Sequence, residues 1–231
     1  FDPNGGTAYL VSNGEQDIFI CSLTKDGDFD WAKQIGGLGH DYGNSITADA
    51  SGNVYTTGSF YYPDPVDFDP GPGIFELTAT GNPEDIFILK LDPAGDFVWA
   101  KSMESLGGDS NGVGYSITAS TTGDIYVAGH FYGAVDFDPD PAVTFFLTSD
   151  PGPIFISKYS SAGDLVWASA YGGHSNDVAN SIVLDIVGNT YVTGSFQGTD
   201  VDFDPGNCVF NLSAVGQPDI FIQKIGTTMC S

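Results

Sequence analysis

The 231-residue sequence predicts an all-β fold of tandem units about 68 residues long, each a four-stranded antiparallel sheet with an insert. Three observations predict it. Trp31, Trp99 and Trp167 stand 68 residues apart, each in a Trp-Ala pair, so the chain repeats itself. Within a period, apolar residues alternate or run in short blocks bounded by turn residues, and no helical apolar periodicity persists. The acids are 26 Asp against 4 Glu, a bias that suits turns and not helices.

Each element follows from its residues. SITADASGNVYTTGSF at Ser45–Phe60 reads as two short strands around a Ser-Gly-Asn turn. Next comes VDFDPG at Val66–Gly71, which returns as VDFDPD at Val135–Asp140 and VDFDPG at Val201–Gly206, with a truncated FDPN at Phe1–Asn4. A short apolar stretch such as Ile74–Gly81 follows. DIFILKLDPAGDFVWAK at Asp85–Lys101 reads as two further strands around a Pro-Ala-Gly-Asp turn. Its runs Ile86–Ile88 and Val98–Ala100 are apolar on both faces, the pattern of strands sandwiched between two sheets. DIFI recurs at Asp17–Ile20 and Asp219–Ile222, and as PIFI at Pro153–Ile156. The Gly-Gly pairs at Gly36, Gly107 and Gly172 open loops that end at Ser45, Ser116 and Ser181.

The chain is therefore one repeat array over residues 1–231, with units at approximately 1–35 (partial), 36–103, 104–171 and 172–231, the last without its final strand. Many small sheets with aromatic and glycine markers are the cue for propeller blades. A closed propeller has about 4–8 blades. Three units plus an overlap leave three arrangements: part of a longer propeller, several chains completing a ring, or an open head-to-tail stack.

The run D-I-F-I-x-K-x-x-x-x-G-D-x-x-W-A-K, then G-G, then S-I-T-A-D-x-x-G-N-x-Y-x-T-G-x-F, resembles the SBBP-type β-propeller repeats of secreted bacterial proteins. The VDFDPG insert is similar to a variant in large surface proteins of Bacteroidota. The resemblance covers nearly the whole chain. It implies propeller blades and an extracellular address, secreted or at the cell surface. It implies no enzymatic activity, because the family has no shared catalytic motif.

Charge narrows the partners. The net charge is -24, with 6 Lys and no Arg. That disfavours nucleic acid backbones and anionic membrane surfaces. No apolar run is long enough for membrane insertion as a helix. The chain does not start with Met and reads as a mature or trimmed product.

In VDFDP the two aspartates fall on one side of an extended segment, and Val and Phe on the other. Two close carboxylates repel unless a cation lies between them. On a chain this poor in Lys, calcium is the expected cofactor, held by Asp2, Asp67, Asp69, Asp136, Asp138, Asp202 and Asp204. Asp41, Asp109 and Asp177 from the Gly-Gly loops are candidate additional ligands. The alternative is that these aspartates cap turns and face water. Asp28, Asp96 and Asp164 recur as hairpin-turn residues. His40, His130 and His174 lack zinc-site spacing, and His130 reads as a surface variant of Ser59 and Ser195.

Cys21, Cys208 and Cys230 leave two arrangements: a bond linking one chain's end to the next chain's start, or an internal Cys208–Cys230 bridge with Cys21 buried and free. The recurrence of the Asp pair in every unit argues against a single catalytic centre. The expected function is structural or adhesive, with the chain as its own partner in an end-to-end filament or other homo-oligomer. The alternative is a glycan-binding module or a fragment of a larger propeller surface protein, with Tyr61, Tyr62 and Tyr132 as stacking platforms, although Gln197 replaces them in the third copy.

Overall fold

The computed structural model describes residues 2, 6–61, 63–80, 83–106, 108–150, 153–173, 176–204, 209–216 and 218–226. Among them the chain forms nineteen strands and no helix, so the all-β expectation holds. A hairpin of β1 (Ile18–Leu23) and β2 (Phe29–Ile35) comes first. The chain then runs through β3 (Asp41–Ala48) and β4 (Val54–Tyr61), and leaves the sheet for an insert of β5 (Pro65–Asp67) and β6 (Glu76–Thr78). It returns as β7 (Glu84–Leu91) and β8 (Phe97–Ser105). The path repeats as β9 (Asn111–Ala119), β10 (Ile125–Tyr132), insert strands β11 (Ala134–Asp136) and β12 (Phe146–Thr148), then β13 (Ile154–Tyr159) and β14 (Leu165–Tyr171). It repeats again as β15 (Val178–Leu184), β16 (Thr190–Phe196), insert strands β17 (Val201–Asp202) and β18 (Asn211–Leu212), and β19 (Asp219–Ile225). Sheet order follows chain order with the insert skipped: β3-β4-β7-β8, β9-β10-β13-β14 and β15-β16-β19, all antiparallel.

The cores lie between successive sheets, and the same positions build each one. Ile18 and Ile20 meet Phe60, Val66, Phe68 and Phe87. Ile86 and Ile88 meet Phe131, Val135, Phe137 and Phe155. Ile154 and Ile156 meet Phe196, Val201, Phe203 and Phe221. In DIFI the isoleucines therefore point to the following sheet and the phenylalanine to the preceding one, as alternation along a strand requires. This is why Ile86, Phe87, Ile88 and Leu89 are all fully buried. The second apolar run behaves differently. Val98 is 44% exposed: it lies near the start of β8, away from the Glu104–Ser105 end where β11 pairs, and its face there reaches solvent.

Polar joints recur alongside the apolar ones. The Ser45 hydroxyl oxygen accepts from the Ile117 N–H at 3.2 Å, and that of Ser116 accepts from Ile182 N–H at 3.1 Å. The Trp31 indole donates to Pro93 O at 3.2 Å and the Trp99 indole to Ser161 O at 3.4 Å. Each tryptophan thus rests on the hairpin turn of the following sheet. Glycine is required there: Gly95 has φ +78°, and a Cβ on it would come within 2.9 Å of the Trp31 ring.

Candidate functional site

The recurring inserts are built as clasps. Val66, Phe68, Val135, Phe137, Val201 and Phe203 are all buried in the intersheet cores, as their shared side predicts. The strand part of each insert lies against the end of the preceding sheet's outer strand. β11 pairs with β8 through Val135↔Ser105 and Asp136↔Glu104, which makes a six-stranded sheet that crosses the boundary between repeats. In the third copy Gly172 N–H donates to Asp202 O at 3.4 Å. In the first, Gly37 lies so close to Pro65 that a Cβ on it would meet Pro65 O at 3.1 Å.

The aspartates of the insert serve its own turn. Asp67 Oδ1 accepts from the N–H of Asp69 (3.0 Å) and of Phe75 (2.8 Å). Asp136 Oδ1 accepts from Asp138 (3.1 Å) and Phe145 (2.8 Å). Asp202 Oδ1 accepts from Asp204 (3.0 Å) and Phe210 (2.9 Å). The second aspartates of the first two copies repeat the device, Asp69 toward Gly71 N–H (2.7 Å) and Asp138 toward Asp140 N–H (3.0 Å). One carboxylate thus holds the two ends of the loop together, the Asx-turn chemistry of short acidic side chains. Asp2 is described, but Phe1 and Pro3 of its truncated copy lie outside the described residues.

The candidate additional ligands divide. Asp41 is 2% exposed; its Oδ2 accepts from Gly37 N–H (2.7 Å) and its Oδ1 from Tyr61 N–H (3.4 Å). Asp177 is fully buried and does the same for Gly173 (2.8 Å) and Gln197 (2.8 Å). Both tie a Gly-Gly loop to the strand end beside it. Burial pushes the Asp41 carboxyl above its ordinary value, and its two backbone donors offset part of that rise. Asp109 is not their counterpart. It is exposed on its loop, and strand register puts Gly112 at that position: Gly112 pairs with Phe131 as Asp41 pairs with Phe60. A Cβ on Gly112 would press within 2.8 Å of Ile86, so the second copy has no room for a carboxylate there.

The DIFI aspartate is a site the motif reading passed over. Asp85 is fully buried; its Oδ2 accepts from the Thr80 N–H (2.7 Å) and hydroxyl (3.1 Å), and its Oδ1 from Ser105 N–H (3.1 Å). Asp17 accepts from Asn13 N–H (2.8 Å) and the Gln34 amide (2.6 Å), and Asp219 from Val215 N–H (2.8 Å). The signal was available in three of the four DIFI copies.

Calcium wants about 6–8 oxygen ligands. Among the described residues no three His, Cys, Asp or Glu side chains gather as such a site would need. A polar cleft of about 370 Å³ lies where Asp138, Asp140 and Asp164 face Lys101. Cys21 is a half-buried free thiol; Cys208 and Cys230 lie outside the described residues, as do His174 and Tyr62. His130, read from sequence as a surface variant, stacks on Tyr115 with its Nδ1 buried, and burial holds its pKa below the ordinary value. Tyr132 is half exposed, whereas Tyr61 packs against His40 and Tyr42.

Comparison with known proteins agrees with the fold. A family model described as a beta-propeller repeat matches residues 30–59, which take in most of β2, all of β3 and most of β4. An uncharacterized WD repeat-containing protein of Acanthamoeba polyphaga mimivirus is 29% identical over 277 aligned residues, covering 99% of this chain and 19% of the relative. The regulatory protein FlaEY of Caulobacter vibrioides is 29% identical over 153 residues, covering 62% of this chain and 16% of the relative. The chain spans about a fifth of the length of the curated relatives it matches.

Proposed function

We propose that the chain is part of an extracellular structural scaffold whose propeller-type blades associate face to face, and that the exposed apolar faces of its first and last sheets each take a further blade, which a second copy of the chain can supply. One observation carries the reading. The isoleucine face of DIFI is buried against the following sheet in the first three copies, but Ile220 and Ile222 in β19 are 80% and 77% exposed, and Val183, two strands away on the same face, is 54% exposed. At the other end of the array Phe19 and Ile46, whose counterparts Phe87 and Ile117 face a preceding sheet, are 60% and 55% exposed. The two open faces have the complementary make-up of the joints already formed within the chain. Burying Ile220 and Ile222 would contribute roughly 3–6 kcal/mol, part of which offsets the cost of association. The extracellular placement rests on the likeness of the repeats to those of secreted bacterial proteins. In this scaffold the aspartates act as turn caps.

Sedimentation velocity over a concentration series tests the reading. The chain is expected to associate with rising concentration, and Ile222→Asp to stay monomeric while keeping its β spectrum. A wild-type chain that remains monomeric from micromolar to millimolar concentration would overturn it.

A further inference from the structure

The repeats allow each copy to be compared with its neighbours, and one cluster stands out as private to the first. Strand register and sequence position match His40, Tyr42 and Tyr61 with Asn111, Val113 and Tyr132 in the second copy and with Asn176, Val178 and Gln197 in the third; the residue before the DIFI motif, Glu84 here, is Gly152 and Pro218 in their sequences. Only Tyr61 has a like counterpart, Tyr132 in the second copy, so the blade folds without the cluster as a set.

They are nonetheless brought together. Tyr42 pairs with Ser59 across β3–β4, and Tyr61 with Glu84 across β4–β7. Ser59 and Tyr61 are two apart, so all four side chains stand on one face. The His40 and Tyr42 rings are nearly parallel, 6.0 Å apart at 8°. The Tyr61 ring stands across both, 5.5 Å from His40 at 75° and 6.1 Å from Tyr42 at 69°. The three rings and Glu84 are only partly buried. Ser59 donates to Glu84 at 2.5 Å, which holds the carboxylate in place. Burial raises the Glu84 carboxyl above its ordinary range, the Ser59 bond lowers it, and Asp85 raises it further. Asp41 interacts with His40 on one side and with Asp17 on another.

Elsewhere the fold answers such rings with its own cations. Lys90, Lys158 and Lys224 lie over Tyr55, Tyr126 and Tyr191 at 5.1, 5.3 and 5.4 Å. Lys25 and Lys33 pair with Asp26 and Asp96, and Lys101 lines the polar cleft. All six lysines are thereby placed away from the cluster, and the chain has no arginine. Three aromatic rings packed on one another beside a carboxylate, with no lysine against them among the described residues, offer an ammonium group an exposed ring face and a counter-charge together.

We propose that His40, Tyr42, Tyr61 and Glu84 form a binding site for an alkylammonium group, carried by a small quaternary amine or by a lysine side chain. The net charge of -24 draws such ligands in.

The test is NMR titration at about pH 8. The probes are choline, Nα-acetyl-lysine amide and 3,3-dimethyl-1-butanol, the uncharged isostere of choline. Saturable shifts of the His40 and Tyr61 ring signals are expected with one or both cations, weakening as salt is added. The cation that binds more tightly identifies the source. Tyr61→Gln and Tyr42→Val install residues that the third copy already carries, so they are expected to fold. Glu84→Gln keeps an acceptor for Ser59. Each is expected to raise Kd at least tenfold. No saturable shift with either cation, equal binding of the uncharged alcohol, or unchanged affinity in all three variants would overturn the proposal.

Discussion

Asp136 offers the most direct test of how the insert works. Its Oδ1 holds two backbone N–H groups, those of Asp138 and Phe145, seven residues apart in sequence. Hydrogen bonds to a charged acceptor contribute roughly 1.5–3 kcal/mol each, and water reaches donors that are only partly buried. Asp136→Ala should therefore cost about 2–4 kcal/mol. Asp136→Asn keeps a carbonyl oxygen for both donors and should cost less than about 1 kcal/mol. The assay is urea unfolding of wild type and both variants, with and without chelator. For a chain of this size the Ala variant should lower the midpoint by about 1 M, with the slope unchanged. Chelation should leave all three midpoints where they are. The reasoning fails if Asn is as damaging as Ala and the wild type falls by the same amount on chelation. That outcome would mean that the carboxylate's charge holds a cation.

Two further expectations follow from the same architecture. Phe137 is fully buried against Phe131 and Phe155 at centroid distances of 5.6 and 5.0 Å, so Phe137→Ala should cost about 3–5 kcal/mol in the same urea assay; a loss below about 1 kcal/mol would make the insert a surface loop. Glu84 has a raised carboxyl pKa, so the native state holds its proton more tightly than the unfolded chain does. Its contribution is full below the ordinary value of 4.5 and is lost as pH rises through the raised one. Measured against Glu84→Gln, wild-type stability should therefore decline from about pH 4 to pH 7, and a flat or rising difference would contradict the burial argument.

Much of the fold was legible because strands write their faces into alternating positions. DIFI and VDFDP each carry two interleaved instructions, and the buried Ile86, Phe87, Val135 and Phe137 follow both. The aspartates were harder to read, since a turn cap and a cation ligand call for the same short carboxylate. What separates them is where the N–H groups point, and for Asp136 one of those belongs to Phe145, on the far side of the loop. Asp85 depends on Thr80 and Ser105, neither of which lies in its motif. Asp109 was misplaced by proximity to the Gly-Gly pair. A constant offset of five from the first glycine leads from Gly36 to Asp41 and from Gly172 to Asp177, and from Gly107 it arrives at Gly112. Val98 looked buried because its neighbours are apolar, but it lies near the start of β8, where β11 does not reach and its face meets solvent.

The ladder from β8 to β11 separates the unit that is copied from the unit that is fastened. A segment cut out at the tryptophan period carries its own four strands, yet the end of its outer edge is secured by the segment after it. Duplication of such a segment is safe only in tandem, where every copy supplies the fastening for the one ahead. A blade moved, inserted or exchanged by recombination must suit the strand end it inherits. Order along the chain is thus a property the array enforces on itself, and divergence between copies is freest where no neighbour depends on them.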